Sequence, residues 1–271
     1  MTYLSTIKNG FHTVNKNWQL IFVQIVSLVL SGISFFIIVG MPIAIAFIMF
    51  GLDLTEILRL KDIVSALKGS AELLNKYFAM ALIVILSLLL YLTFIIMLWV
   101  FAFGGTVGIL AKSIREEINR FSLKTFFSEG RQLFLPISAF SAIIGVIFLV
   151  IAFLLGIMVG GASTIIETAK GYEATFGLFI GVFFSLVLIS VGMSLLLITL
   201  SVAAFGIASL AFNRSGSVNT LKETARYLYS SPSAIGFYGI LLLGYMVTGF
   251  VVIFIGTPLT FIPILGPIIS L

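Results

Sequence analysis

Histidine and cysteine, which carry much of the catalysis and metal binding in proteins, are almost absent from this chain of 271 residues. There is no cysteine, and His12 is the only histidine. A Ser-His-Asp triad would need His12 as its base, close to the N-terminus. Thiolate and multi-histidine metal sites are excluded, and we find no glycine-rich phosphate loop, paired-carboxylate, His-Glu-x-x-His or Gly-x-Ser-x-Gly motif. The sequence therefore predicts a protein that is not an enzyme and holds no cofactor or metal.

A charged and aromatic stretch between two long apolar runs is more informative. It reads SLKTFFSEGRQLFLPISAF and covers residues 122–140. In a helix, its apolar and polar side chains would lie on opposite faces. The apolar face would contain Leu123, Phe126, Phe127, Gly130 and Phe134, and the polar face Lys124, Thr125, Ser128, Glu129 and Arg131. Such a helix lies flat at the level of the lipid headgroups.

Similar stretches recur along the chain, and we call them elbow segments. Each contains an Ile-Lys or Leu-Lys pair, and an apolar run begins ten residues after the lysine. The pairs are Ile7-Lys8, Leu67-Lys68, Leu123-Lys124 and Leu221-Lys222. We expect each elbow segment to guide the chain along the membrane surface before it crosses.

The composition requires a membrane. Of the residues, 61% are hydrophobic and 9% are charged, against about 25% charged in ordinary soluble domains. The mean hydropathy is +1.25, so the exterior must face lipid. The formal net charge of +5 lies mostly between the apolar runs, which favours anionic lipid headgroups as partners. Nucleic acid is not predicted as a partner, because no long run of Lys or Arg occurs.

Five apolar runs are long enough to cross a bilayer. They predict an all-α, polytopic bundle in a single domain, residues 1–271, with spans at about 19–40, 78–103, 133–159, 176–212 and 235–256. Gly40-Met41-Pro42 predicts a break, Gly104-Gly105 follow the second run, and the stretch from Pro42 to Leu60 is either half-immersed or a short sixth span. The span centres carry no ionisable side chain, so no ion or proton path is indicated.

The distribution of Lys and Arg between the spans predicts the orientation. With the N-terminus in the cytoplasm, ten of these residues lie inside and five outside. We therefore expect a multi-pass protein of the inner membrane with a cytoplasmic N-terminus.

Two sets of residues are predicted to position the bundle. Aromatic residues next to the spans are typical of an interfacial belt, and small residues at helical spacing are typical of helix packing. The interface set is Lys8, Trp18, Lys68, Tyr77, Lys124, Phe126, Phe127, Arg131, Lys222, Arg226 and Tyr227. The packing set is Gln24, Ser27, Ser31, Ser34, Gly145, Gly156, Gly160, Gly177, Gly181 and Ser185. The polar face of the first span could alternatively line a narrow path, but the recurrence of small residues favours packing.

Two stretches resemble a group of prokaryotic multi-pass membrane proteins. The first is NGFHTVNKNWQLIF, and the second runs from Gly104 to Ile147 with the pattern Phe-Phe-x-x-Gly-Arg-x-x-Phe. The group is similar to the membrane domain fused to some glycerophosphodiester phosphodiesterases. The resemblance implies a helical bundle of five or six spans and no catalytic residues, since the phosphodiesterase domain itself is missing here.

These observations favour a non-enzymatic membrane protein that organises lipids or holds a partner, either another membrane protein or a second copy. The alternative is a small transporter or channel subunit for an uncharged or anionic solute. Interrupted helices often frame such binding sites, and the predicted break at Gly40–Pro42 and the proline-rich C-terminal tail motivate this alternative.

Overall fold

The fold is all-α, as the sequence predicts. The computed structural model describes residues 3–50, 78–115, 117–118 and 121–259, and every regular element in these ranges is helical. The elements are α1 Tyr3–Lys16, α2 Gln19–Phe35, a π-helical turn Phe36–Gly40, α3 Met41–Phe50, α4 Phe78–Ile114, α5 Leu123–Tyr172, α6 Ala174–Asn213, α7 Ser217–Ser230 and α8 Pro232–Leu259. The predicted roles of Lys68 and Tyr77 lie outside the described residues.

Five helical stretches are long and apolar enough to cross a membrane. They are Gln19–Ala46, Ala81–Ile114, Leu123–Tyr172, Ala174–Asn213 and Pro232–Phe254. Most of their large apolar side chains are exposed, for example Leu149 at 71% and Phe179 at 71%. Apolar surface of this kind is stable only against lipid. The chain is a multi-pass membrane protein.

The contacts divide the chain into two compact units, one of residues 6–135 and one of residues 136–271 with the first five residues. In the first unit, α4 returns antiparallel to α2. Asn17 contacts Ser113 at one end of this pair, and Phe35 contacts Tyr91 towards the other, with ring centroids 5.3 Å apart. Leu20, Ala102, Ile109 and Phe126 form the buried core of this unit.

In the second unit, α6 returns antiparallel to α5. Ile166 is in van der Waals range of Gly181, and the ring of Phe140 covers Gly206. The amphipathic helix α7 packs on α6 and buries one stripe at i, i+4 and i+8: Thr220, Thr224 and Leu228. Pro232 begins α8, where the missing N–H of proline costs no helical hydrogen bond.

The predicted break at Gly40–Pro42 is a continuous helix with a changed pitch. The N–H of Met41 donates to the carbonyl of Phe36, five residues back, and the helix then continues to Phe50. Pro42 has no N–H to give to a preceding carbonyl, and the wider π turn absorbs this local mismatch. The proline therefore changes the hydrogen-bond register without ending the span.

The helices extend beyond the predicted spans. α4 passes through Gly104-Gly105 to Ile114, and α5 begins at Leu123 and contains Pro136. The sequence predicts that the third elbow segment lies flat at the membrane surface. In the structure this segment is instead the beginning of the 50-residue helix α5. The predicted limits followed apolar side chains, whereas backbone hydrogen bonds continue into polar flanks and past a single proline. The elbow segments of α1 and α7 are separate helices, which end at Lys16 and Ser230.

Candidate functional site

A buried ion pair joins α4 to the beginning of α5. The Nζ of Lys112 lies 2.7 Å from Oε1 of Glu129, and the two side chains are 25% and 3% exposed. Gly108 makes this approach possible, because a Cβ there would lie 2.6 Å from Cβ of Glu129. Lys112 lies in the last turn of α4, where a positive charge also compensates the helix dipole.

The first turns of α5 are rotated relative to the predicted amphipathic stripe. Phe126 was predicted to face the membrane interface and Glu129 the headgroups, but they are 3% and 2% exposed. The Phe126 ring packs on Gly105, where a Cβ would lie 2.5 Å from its Cε2. It also meets Phe101 edge-on at 6.2 Å between centroids. Leu123 and Phe127 keep the outward orientation, at 60% and 58% exposure.

This rotation could have been found in the sequence from the glycines of α4. Gly104, Gly105 and Gly108 form a narrow smooth surface, and the deepest side chains of a following helix pack into such a surface. Phe126 and Leu133 then share one face with Gly130, four residues before it and three residues after it, and all three are buried. Hydropathy alone places this glycine pair just after the second span instead.

Asn17 fixes the turn between α1 and α2. Its side chain is 1% exposed, and its Nδ2 donates to the carbonyl of Thr13 at 2.9 Å and to Oγ of Ser113 at 3.1 Å. Asn17 thus gives a carbonyl group at the end of α1 a hydrogen-bond donor and links α1 to α4. The apolar and charge patterns of the sequence indicate no role for Asn17.

The polar face of the first span lies against α4. Nε2 of Gln24 donates to Oγ1 of Thr106 at 3.0 Å. Ser27, Ser31 and Ser34 are buried, and the Ser31 hydroxyl donates to the carbonyl of Ser27. This face is thus closed by the protein along the residues that the structure describes.

The cations of the elbow segments are exposed. Lys8, Lys124, Arg131, Lys222 and Arg226 lie on the surface, and none forms an ion pair with a described residue. Two nearby acids are neutralised by other groups, Glu129 by Lys112 and Glu117 by Arg115 at 3.5 Å. The surface of these segments consequently carries a net positive charge, which Glu223 lowers in α7 without cancelling it.

Apolar and aromatic side chains accompany these cations in three shallow grooves. The α1 groove has a volume of about 510 Å³, the α5 groove about 600 Å³ and the α7 groove about 440 Å³. Lys8 with Phe11 lines the first, Arg131 with Phe127 the second, and Lys222 and Arg226 with Tyr227 the third. A cation beside an exposed ring matches the boundary between headgroups and acyl chains.

Trp18 and Tyr227, two aromatic residues of the predicted interface set, are half exposed. Trp18 is 51% exposed and meets Phe22 edge-on at 5.3 Å. Tyr227 is 50% exposed and lies 5.9 Å from the ring of Phe205. Both expose an amphipathic ring next to the end of a span.

The predicted packing glycines fall into two groups. Gly177 is buried beneath the side chain of Lys170, and Gly181 is in ordinary contact with Ile166. The others lie on exposed helix surface: Ser185, and Gly145, Gly156 and Gly160, which have no heavy atom within 4 Å of an added Cβ. A packing role for this second group stays a prediction.

Among the residues that the structure describes, no group of three or more His, Asp or Glu side chains is placed to hold a metal ion. The candidate sites are the charged and aromatic surfaces of the elbow segments, and those of α1 and α5 are supported by the buried contacts of Asn17, Lys112 and Glu129. No protein-family model, curated protein or solved structure matches this chain. The resemblance to membrane domains of glycerophosphodiester phosphodiesterases stays a prediction.

Proposed function

We propose that this protein is a non-enzymatic component of the prokaryotic inner membrane that gathers anionic lipids around its elbow segments. The observation that carries the proposal is the combination of exposed cations, which form no ion pair with a described residue, with exposed apolar side chains on α1, on the first turns of α5 and on α7. A surface of this composition binds anionic headgroups while its apolar side chains enter the acyl boundary.

Within the unit of residues 6–135, the helix directions support one membrane side for α1 and the beginning of α5. Because α4 returns beside α2, its end meets the beginning of α5 at the side where α2 starts. In the unit of residues 136–271, α6 returns beside α5, and α7 begins near Pro136, where the hydroxyl of Ser217 donates to the Pro136 carbonyl at 3.0 Å. The Lys and Arg count predicts that the elbow segments lie on the cytoplasmic side.

The attraction is large enough to select lipids. A Lys or Arg near an anionic surface contributes about 1 kcal/mol, so five such residues distributed over several lipids contribute about 5 kcal/mol in total. Screening limits this contribution to lipids within about 10 Å at 0.1 M salt. The expected result is a shell enriched in anionic lipid, formed by contacts that need no reaction. The proposed kinship with membrane domains of lipid-related phosphodiesterases agrees with this role.

Spin-labelled lipids in reconstituted vesicles provide the test. We expect the protein to immobilise labelled phosphatidylglycerol in preference to phosphatidylcholine, and to lose this preference when five cations become glutamine: Lys8, Lys124, Arg131, Lys222 and Arg226. The matched control exchanges Lys for Arg and Arg for Lys at the same positions, which keeps every charge. An unchanged preference in the glutamine variant at low salt would contradict the proposal.

The alternative function is a small transporter or channel subunit, and one of the two predictions that motivate it is wrong. The break expected at Gly40–Pro42 is a continuous π-helical turn, and residues 260–271 of the proline-rich tail lie outside the described residues. A flux assay on the reconstituted protein with uncharged and anionic solutes separates the two functions. Solute-specific flux would favour the transporter.

A further inference from the structure

The α7 groove differs from the other two grooves in its charge. Asn219, Lys222, Glu223, Arg226, Tyr227 and Ser230 line it. The α5 groove contains one permanent cation, Arg131, and the α1 groove contains Lys8 beside His12. Of these three described grooves, only the α7 groove therefore combines two permanent cations.

The positions of these cations allow them to bind one anion together. Lys222 and Arg226 are one helical turn apart, and side chains at i and i+4 have Cβ atoms about 5–6 Å apart on the same face. Arginine can place two N–H groups on one phosphate, while lysine supplies a flexible point charge. Both residues are exposed and form no ion pair with a described residue.

The helix that carries the groove is fixed in position before any ligand binds. Thr220, Thr224 and Leu228 are buried on the opposite face of α7. Oγ of Ser215 lies 2.7 Å from Oγ1 of Thr220, and Ser217 is hydrogen-bonded to the carbonyl of Pro136. A preorganised site loses less conformational entropy on binding than a mobile one.

We propose that the α7 groove is a binding site for the phosphodiester of an anionic phospholipid, held between Lys222 and Arg226. This inference rests on the proposed function and adds a defined site to it. Glu223 reduces the formal charge of the groove from +2 to +1, which matches the single negative charge of one phosphodiester. Tyr227, which also lines the groove, is half exposed and lies next to Phe205 of the membrane-spanning helix α6. This ring supports the glycerol backbone and the first carbons of the acyl chains.

The absence of cysteine permits a local measurement of this site. A fluorophore on Tyr229→Cys would report from α7, since Tyr229 is 90% exposed and does not line the groove. In mixed vesicles, quenching by brominated phosphatidylglycerol relative to brominated phosphatidylcholine gives the lipid preference at that position. We expect a clear preference for phosphatidylglycerol, and Lys222→Gln/Arg226→Gln should lower it at least about fivefold, the equivalent of about 1 kcal/mol.

A charge-matched variant separates a defined site from a general electrostatic attraction. Lys124→Gln/Arg131→Gln removes the same charge from α5, and we expect it to leave the preference at the α7 label unchanged. Equal losses in both double variants would overturn the α7 site while leaving the proposed function intact. If the Tyr229→Cys label showed no preference for phosphatidylglycerol in the protein with all its charges, the α7 site would be overturned. If the spin-labelled lipids also showed no preference, the proposed function would be overturned as well. Displacement of the brominated lipid by millimolar inorganic phosphate would overturn the lipid as occupant in favour of a free anion.

Discussion

The ion pair between Lys112 and Glu129 allows a quantitative test of how the elbow segment of α5 is held. Removing one partner of a buried pair costs about 3–5 kcal/mol, because the other charge stays in a poorly solvated place. The two partners are not equivalent, since the side chain of Glu129 is 3% exposed and that of Lys112 is 25% exposed. Lys112→Met deprives the buried carboxylate of the ammonium group, whereas Glu129→Gln leaves a lysine that can still reach water.

We therefore expect unequal losses of stability. Lys112→Met should cost about 3 kcal/mol, the low end for a buried pair because its own side chain is partly solvated. Glu129→Gln should cost about 1 kcal/mol, close to a typical hydrogen bond. The double variant should cost less than the sum of the single variants, and the shortfall is the coupling energy, expected at about 2 kcal/mol.

Unfolding in one detergent at fixed protein concentration measures all four members of this cycle. Reversible denaturant titration or steric trapping gives the free energy of unfolding directly, and the Lys124→Gln variant serves as a control with an exposed cation. A coupling energy below about 0.5 kcal/mol would refute the argument, because it would equal the value of an ordinary exposed pair. A larger cost for Glu129→Gln than for Lys112→Met would refute the assigned difference in burial.

Other contacts of the first unit give further predictions. Gly105→Ala should cost about 1–3 kcal/mol, because the new methyl group meets the ring of Phe126, while Gly145→Ala, on open helix surface, should be neutral or stabilise by up to about 1 kcal/mol. Equal changes in the thermal unfolding of Gly105→Ala and Gly145→Ala would contradict the close packing of Phe126 on Gly105. Asn17→Ala should cost about 1–3 kcal/mol by leaving its partners unsatisfied, and should increase the mobility of a spin label on Phe11→Cys of α1; unchanged spectra would show that Asn17 does not hold α1. The preference for phosphatidylglycerol should fall steeply between about 0.01 and 1 M salt, as the screening length falls from about 30 to 3 Å, and a salt-independent preference would contradict an electrostatic origin.

The spans could be predicted because a helix that crosses the lipid needs an apolar stretch as long as the hydrocarbon core is thick. About 20 apolar residues in sequence satisfy this requirement whatever the neighbouring helices do, and all five predicted runs lie within helices long enough to cross. The exact helix limits could not be predicted in the same way. Hydropathy falls at Phe103, but the backbone hydrogen bonds of α4 continue to Ile114, and Gly105 packs against the ring of Phe126 instead of facing water.

The orientation of the α5 elbow segment shows where periodicity alone fails. Leu123, Phe126 and Phe127 satisfy one apolar stripe equally well whether lipid or protein covers it. The choice is made by α4, whose glycines accept Phe126 and Glu129 at a distance that any larger residue would prevent. The buried face of the α5 elbow segment therefore depends on α4 and α5 together and cannot be predicted from either segment alone.

The burial of Glu129 affects the surface as well as the interior. On the predicted polar face, its carboxylate would lie two residues from Arg131 and would reduce the positive potential of that face. The fold instead turns Glu129 towards Lys112, so Lys124 and Arg131 remain exposed without an acid between them. The same rotation thus attaches α5 to α4 and separates the acidic group from the basic ones. In our proposal this separation gives the beginning of α5 its attraction for anionic lipids, and the buried pair is a condition for the function although it contacts no lipid.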